Sequence, residues 1–305
     1  MSKLLNKSQE ATAVRFYTKH PELEALLPPA FVSVSPPFGS SGFVQAVAEF
    51  QGAHGLFVDG KAGYKETIPA LVAAFGTGAP RGDLLVFRGE TKAIPGVTIV
   101  NPWAPGSFDF ARWPGHIHGK FGIPLPRVLM LHDAITRTAS ACFEVLLTRK
   151  DKRGKNMRLG TGLMLDTDAV LYQCVPDLAV VTWHSGEWNG VAVGFDMIGL
   201  LDPAFAPNHP LRRPPTAWAD RGYIDYTVAQ KRVLPRVVEG LCGLLGVPLE
   251  TPRQDDGKLA LRGADQKLDV SPLTYRGVLA HGQVSRARWD GNRALEIVFG
   301  SQDVA

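Results

Sequence analysis

Apolar and polar positions follow different periods in different parts of the chain. In residues 43–56, FVQAVAEFQGAHGL, the apolar side chains recur at helical spacing, which predicts a helix. DLLVFRG (83–89) and GVTIVN (96–101) are short apolar runs that predict two strands. From Arg127 onward the pattern changes again, and apolar runs alternate with helical stretches in the way that is typical of an α/β domain.

Four apolar runs of this second half predict strands. They lie at residues 127–134, 142–150, 160–176 (as a hairpin) and 191–200. The stretch that follows Tyr226 predicts a long helix with Thr227 as its N-cap and a kink at Pro235. The fold class that we predict is therefore α/β, with a mixed central β-sheet flanked by helices and a small helical module in front of it.

Composition changes along the chain indicate four parts. Residues 1–38 are an N-terminal segment that ends in a linker rich in Pro, Ser and Gly, and residues 39–77 are a small helical module. Residues 78–125 are a linker or insert without an assigned role, and residues 126–305 form the α/β domain. In the helical module, Thr67 is a suitable N-cap for a second short helix.

Charge, cysteine content and hydropathy narrow the class of protein. The net charge of +4 is a mild bias toward anionic polymers, but the basic residues are scattered and are dense only in residues 148–155. The sequence has no basic stripe interleaved with aromatic residues, which is the pattern expected of a nucleic-acid-binding protein. The three cysteines form no CxxC pair, and we expect them to be small buried side chains. No run predicts a signal peptide or membrane insertion.

Ionisable residues stand in otherwise apolar surroundings at several predicted strand ends. His132 closes the strand at 127–134, Asp196 lies inside the strand at 191–200, and His281 and Asp290 lie in a C-terminal loop. Such groups are costly to bury unless they are paired or bind a metal. Two histidines and one carboxylate suit a catalytic zinc ion, which keeps a fourth position open for water. His116 and His118, which are separated by one residue, are more typical of polar surface than of a metal site.

Six short motifs in order resemble the zinc-dependent N-acetylmuramoyl-L-alanine amidases, the family that includes the peptidoglycan recognition proteins. The motifs are VLMLHDA (128–134), LDTDAVLYQCVPD (165–177), WHSGEWNG (183–190), VGFD (193–196), YTVAQ (226–230) and HGQVSRARWDG (281–291). Each motif is weak by itself, but their shared order makes chance a poor explanation.

This resemblance implies a role for each matching residue. Zinc would be held by His132, His281 and Asp290. Asp196 would be the general base in the place of a glutamate, and Arg288 would stabilise the oxyanion in the place of a lysine. The residues expected to line the substrate groove are His184, Trp183 and Asn189.

Two departures from the family pattern keep a second function open. Asp196 is one methylene shorter than glutamate, and the planar guanidinium of Arg288 differs from a lysine's point charge. A non-catalytic peptidoglycan-binding or recognition protein is therefore the alternative to an amidase. Taken by itself, His184 could also be a structural histidine. Asp196 could likewise be a buried acid that is hydrogen-bonded within the protein.

The module at residues 39–77 resembles the small peptidoglycan-binding module of cell-wall hydrolases. The resemblance rests on a helix, then VDGKAG (58–63), then Thr67 and a second helix, with one residue more than usual before the threonine. A generic helical hairpin is the alternative. The expected partner is bacterial peptidoglycan. A chain of this kind resembles a phage endolysin, made in the host cytoplasm and acting in the periplasm or cell wall.

Overall fold

Two compact units make up the chain. The computed structural model describes residues 5–20, 27, 35–62, 67, 71, 83–102, 116–122, 126–199, 201–261, 267–286 and 288–300. The first unit comprises Met1–Arg81 with Asp109–Pro114, and the second comprises Gly82–Phe108 with Gly115–Ala305. None of the described helices is long and apolar enough to cross a membrane.

The first unit is built on two helices, α1 (Lys7–Lys19) and α2 (Ser41–Ala53). Asn6 and Gln9 form a capping box at the start of α1, and Ser40 caps α2. The helix predicted at residues 43–56 is confirmed as α2. The second helix of the predicted module lies outside the described residues except for Thr67 and Leu71, which are both buried.

A tight turn at Gly60 joins the two helices through side-chain hydrogen bonds. The Tyr17 hydroxyl donates to the Gly60 carbonyl and accepts from the Ala62 amide, and the buried Gln51 side chain accepts from the Gly60 amide. Gly60 has φ of +69° and lies against Val44, where a Cβ would come within 2.8 Å. The Asp-Gly turn of the sequence therefore needs its glycine.

The second unit contains a six-stranded mixed sheet in the order β12–β5–β9–β6–β7–β3. Its strands are β3 (Thr98–Val100), β5 (Val128–Ile135), β6 (Leu163–Leu165), β7 (Val170–Gln173), β9 (Ala192–Gly199) and β12 (Gly277–Ala280). All neighbouring pairs are parallel except the β6–β7 hairpin. The predicted α/β class, with helices flanking a mixed sheet, is confirmed.

Short strands and helices complete this unit. Outside the sheet lie β1 (Leu85–Phe87), β2 (Glu90–Lys92), β4 (Ile117–Lys120), β8 (Val180–Thr182), β10 (Arg212–Arg213) and β11 (Tyr223–Ile224). The helices are α3 (Ala139–Thr148), α4 (Val228–Leu245), α5 (His281–Val284) and α6 (Asn292–Phe299). Three-residue 3-10 turns lie at Gly186–Trp188 and Pro203–Phe205.

Three predictions about this unit need correction. Residues 142–148 of the run predicted as a strand at 142–150 belong to helix α3, because the buried positions of this helix follow helical spacing and Thr138 caps it. The C-terminal residues are not one loop, since β12, α5 and α6 lie there. The strand that carries His132 continues to Ile135 and does not end at the histidine.

Helix α4 is confirmed with its predicted cap. The Thr227 hydroxyl accepts from the Gln230 amide, and the Gln230 side chain returns to the Thr227 amide as a capping box. The helix continues through Pro235 as far as Leu245. All three cysteines are free and buried, as expected.

Asp225 is a buried charge that joins four elements. Its side chain is 1% exposed, and its oxygens accept from Lys231 Nζ at 2.7 Å and Arg293 Nε at 2.8 Å, with Arg213 Nε at 3.6 Å. Burial would raise the pKa of Asp225, but the hydrogen bonds from Arg293 and Lys231 outweigh it and hold the pKa below its usual value. The carboxylate thus ties β10 and β11 to helices α4 and α6.

Replacing Asp225 with asparagine should destabilise the protein by about 3 kcal/mol, because it removes the buried counter-charge of the half-buried cations Lys231 and Arg293. In the wild type, a depressed carboxyl pKa means that this stabilisation is present above about pH 4 and is lost as the pH falls below it. Urea unfolding as a function of pH measures both effects. Asp256→Asn is the matched control, since it removes an exposed ion pair with Lys258 and should leave the unfolding midpoint unchanged. Equal midpoints for both variants would contradict the role of Asp225.

Candidate metal centre

Three polar side chains form a row across the parallel strands β12, β5 and β9. His132 of β5 is paired in register with Asp196 of β9. On the other side, Leu131 is paired with Ala280, the last residue of β12, so that His281 follows directly beside His132. Register partners in neighbouring strands point to the same face of a sheet, which places His132 and Asp196 together.

The three predicted metal ligands come together at this row. His132 Nδ1 lies 3.4 Å from Asp290 Oδ2, and His281 Nδ1 lies 3.1 Å from the same oxygen. One donor atom from each of the three residues lies within 4.8 Å of the others. Within the part of the chain that the structure describes, this is the one group of three or more His, Cys, Asp or Glu residues so arranged.

Glycines on both sides of the last loop allow Asp290 to reach the histidines. The Gly282 amide donates to the Asp290 carbonyl at 2.9 Å, and a Cβ on Gly282 would lie 2.8 Å from the Trp289 backbone. Gly291 has φ of +85°, and a Cβ there would lie 2.3 Å from the Leu131 carbonyl oxygen. The segment HGQVSRARWDG therefore closes tightly on itself and on β5.

Asp133 and Tyr226 hold this loop from the opposite face of the sheet. The Tyr226 hydroxyl donates to Asp133 Oδ1, and the Gly291 amide donates to Asp133 Oδ2 at 2.6 Å. Burial raises the pKa of Asp133 to about 7, against these two hydrogen bonds. Sequence reasoning missed this pair; the signal was a second acid inside the apolar strand, directly after His132.

Charge within the cluster is concentrated on Asp290. Burial would raise the pKa of Asp290, but the hydrogen bonds to His132 and His281 hold it well below its usual range. Burial would likewise lower the pKa of His132, but Asp290 and Asp196 outweigh it and raise that pKa. Burial lowers the pKa of His281, and the Asp290 hydrogen bond only partly opposes this. Asp290 is therefore an ionised carboxylate at neutral pH.

The donor set fits a zinc ion. Two imidazoles and one carboxylate are a known ligand set for catalytic zinc. Asp290 Oδ2 faces both imidazole Nδ1 atoms, while Asp290 Oδ1 is buried and has no hydrogen-bond partner among the described residues. A buried carboxylate oxygen without a donor is costly, and a cation would satisfy it.

The two predicted catalytic residues are associated with different histidines of the cluster. Asp196 stands beside His132; burial raises its pKa, while His132 and the Thr161 hydroxyl act in the opposite direction. Arg288 is exposed in the loop before Asp290, and its charge is close enough to lower the pKa of His281. A carboxyl group thus lies next to His132, and a permanent cation acts on His281.

His184 is bonded within the protein through both ring nitrogens. Its Nδ1 lies 2.9 Å from His132 Nε2, and its Nε2 lies 3.1 Å from the Ala192 carbonyl oxygen. A substrate could therefore meet only the carbon atoms of this ring. The Asn189 side chain accepts from the amides of His184 and Ser185, so that it fixes the turn that carries His184.

Trp183 is the most accessible of the residues predicted to line a groove. Its side chain is exposed, and its ring stacks on His118 of β4 with a centroid distance of 3.7 Å. His116 is buried and bonded to the Leu159 carbonyl, so the expectation of polar surface is wrong for this residue. Substrate contacts of Trp183, His184 and Asn189 stay predictions.

Comparison with known proteins gives structural neighbours at low identity. No protein-family model and no curated protein sequence matches the chain. Among solved structures, the chain is similar to the N-acetylmuramoyl-L-alanine amidase LysC from Clostridium intestinale, with 14% identity, a TM-score of 0.39, and coverage of 68% of this chain and 99% of that chain.

Two further neighbours come from other organisms. Drosophila PGRP-LB is 18% identical with a TM-score of 0.36, and 68% of this chain and 94% of that chain are covered. The Staphylococcus aureus hydrolase AmiA, solved in complex with its ligand, is 11% identical with a TM-score of 0.34, and 68% of this chain and 83% of that chain are covered. The structural neighbours thus include N-acetylmuramoyl-L-alanine amidases and peptidoglycan recognition proteins, while the chemistry of this chain has to come from its own site residues.

The glycine at position 291 should be indispensable to the site. Gly291→Ala should lower the free energy of unfolding by about 3 kcal/mol, because a left-handed backbone costs about 1–2 kcal/mol for alanine and the clash with Leu131 adds a similar amount. Gly257→Ala is the matched control: φ is +83° there, but nothing lies within 4 Å of the added Cβ. It should cost only about 1 kcal/mol. Chemical denaturation of both variants measures the difference, and equal losses would exclude the close approach.

Proposed function

We propose that this chain is a zinc-dependent N-acetylmuramoyl-L-alanine amidase. It would hydrolyse the amide between the lactyl group of N-acetylmuramic acid and the L-alanine of the stem peptide. The observation that carries the proposal is the convergence of His132, His281 and Asp290, whose donor atoms lie within 4.8 Å of one another on the carboxyl side of two parallel strands. The order of the six sequence motifs supports the choice of substrate.

The three ligand residues would hold the ion by two nitrogens and one carboxylate oxygen. Zinc bound in this way polarises a scissile carbonyl and lowers the pKa of water toward neutrality. His132 and His281 present their Nδ1 atoms toward Asp290, so neither ring has to turn to bind. The single ionised carboxylate leaves the loaded site with a net positive charge, which favours an electron-rich carbonyl oxygen.

Asp196 would take the proton of the attacking water. Burial raises the pKa of Asp196, and a carboxylate whose pKa is closer to the working pH is a better general base. Its position beside His132 in the register of β5 and β9 places it next to the ligand cluster. Arg288 would stabilise the negative charge that develops on the carbonyl oxygen only in the transition state.

The helical module at residues 39–77, which is part of the first unit, would hold the enzyme on its polymer. A binding module on the same chain raises the local concentration of substrate around the catalytic unit. We propose peptidoglycan as the shared partner of both units. The proposed setting is that of an endolysin or a related lytic effector, which is made in a host bacterium's cytoplasm and acts on the cell wall.

The principal test is the release of stem peptides from purified peptidoglycan, measured by mass spectrometry. The wild type should release peptides with a new L-alanine N-terminus, and this release should vanish with a strong zinc chelator and in His132→Ala. If the protein binds the polymer with about one zinc per chain but releases nothing, the binding-only function takes the place of the enzyme. Activity gained by Asp196→Glu in an inactive wild type would support that alternative as well.

The role of Asp196 gives a second prediction. Asp196→Asn should reduce peptide release by about 10²–10⁴-fold, because the amide cannot accept the proton of water. Zinc content, measured by elemental analysis, should remain that of the wild type, because Asp196 is not a ligand. Release at the wild-type rate would remove Asp196 from the mechanism.

Arg288 allows a test with a control in the same loop. Arg288→Met should lower peptide release by about 10²–10³-fold through the loss of oxyanion stabilisation, and Arg288→Lys should recover part of it. Arg286→Met removes another exposed cation two residues away and should have little effect. If both methionine variants lose activity alike, Arg288 acts through general charge and not at the oxyanion.

A further inference from the structure

A chain of two hydrogen bonds runs from the proposed metal ligand His132 to the protein backbone. His132 Nε2 lies 2.9 Å from His184 Nδ1, and His184 Nε2 lies 3.1 Å from the Ala192 carbonyl oxygen. A carbonyl oxygen can only accept, so His184 carries its hydrogen on Nε2. A neutral His184 then presents a bare Nδ1 toward His132.

The direction of these bonds selects one tautomer of His132. An acceptor at His184 Nδ1 requires that His132 carries its hydrogen on Nε2. Without a metal, His132 Nδ1 also carries a hydrogen, which faces Asp290 Oδ2. Metal binding would displace that hydrogen and leave the lone pair of His132 on Nδ1, the atom that lies in the cluster with His281. The tautomer that satisfies His184 is therefore also the one that can bind a metal.

The backbone around His184 holds its ring in this place. Asn189 fixes the turn by accepting from the amides of His184 and Ser185. The ring lies directly on β9 at Gly194, where a Cβ would come within 2.8 Å of the His184 ring. A side chain at position 194 would displace the His184 ring. Gly194, two residues before Asp196 in β9, therefore leaves room for this ring.

We infer that His184 is a positioning residue, which fixes the Nε2–H tautomer and the ring orientation of His132 and thereby strengthens metal binding. This inference rests on the proposed function, because it takes His132 as a metal ligand. It assigns His184 a role inside the site in addition to, or in place of, the expected contact with substrate. Metal-ligating histidines commonly donate their second N–H to a carboxylate or carbonyl, and here a second histidine takes that place and passes the bond on to a carbonyl.

Two variants of His184 separate the hydrogen bond from simple packing. His184→Leu removes the acceptor, whereas the Oδ1 of His184→Asn can occupy the position of Nδ1 because both atoms are bonded to Cγ. His184→Leu should weaken zinc binding by about 10–100-fold in a competition assay with a chromophoric chelator. His184→Asn should recover most of that loss. His116→Leu is the control, since it replaces another buried histidine that bonds a carbonyl, and it should leave zinc affinity unchanged.

Nitrogen-15 NMR of the zinc-loaded wild type gives a readout that does not depend on activity. The His132 ring should show its hydrogen on Nε2 and the metal on Nδ1. A hydrogen on Nδ1, or equal zinc affinity of the wild type and His184→Leu, would overturn the inference while leaving the zinc enzyme intact. Equal losses in the leucine and asparagine variants would also overturn it, since packing alone would then explain them. A wild type that binds no zinc would overturn the inference together with the proposed function.

Discussion

The parallel register of β12, β5 and β9 is the constraint on which the rest of the site depends. It places His281, His132 and Asp196 at one level across three neighbouring strands. A slip of one residue between β5 and β9 would carry Asp196 to the opposite face. The buried apolar residues below this level, among them Met130 and Leu279 in one cluster, hold the register because a slip of one residue would turn them away from that cluster. The positions of His281, His132 and Asp196 are thus set by the packing of the apolar residues in the same strands.

A loop supplies the third proposed ligand, Asp290, and the position of this loop is set by backbone contacts. Gly282 and Gly291 permit approaches that no other residue would allow, and the Asp133 carboxyl group binds the Gly291 amide. Because Asp133 follows His132 directly, one strand carries a proposed ligand on one face and the support of another ligand on the opposite face. His184 adds a third connection, from His132 to β9. His132 is thus held through His184, and the loop that carries Asp290 is held through Asp133.

The sequence indicates which residues come together in the cluster better than it indicates what supports them. His132, His281 and Asp290 could be selected because ionisable residues in apolar runs are costly and because the motifs occur in order. Helix α4 was predictable from its apolar stripe and Thr227 cap. Helix α3 was not, because a short apolar run such as CFEVLLT fits either element until its burial at Cys142, Phe143 and Leu147 is known. The contacts of His184 and Asp133 join residues 52 and 93 positions apart, and no local pattern indicates such pairs.

The central claim is that two imidazoles and one carboxylate of this chain bind a single zinc ion. X-ray absorption at the zinc edge of the purified wild-type protein tests it most directly. The account predicts a four-coordinate site with two imidazole ligands, the remaining donors being oxygen, at distances of about 2.0–2.2 Å. Sulfur in the coordination shell, or six oxygen donors without imidazole, would contradict it, because neither agrees with a site made of His132, His281 and Asp290.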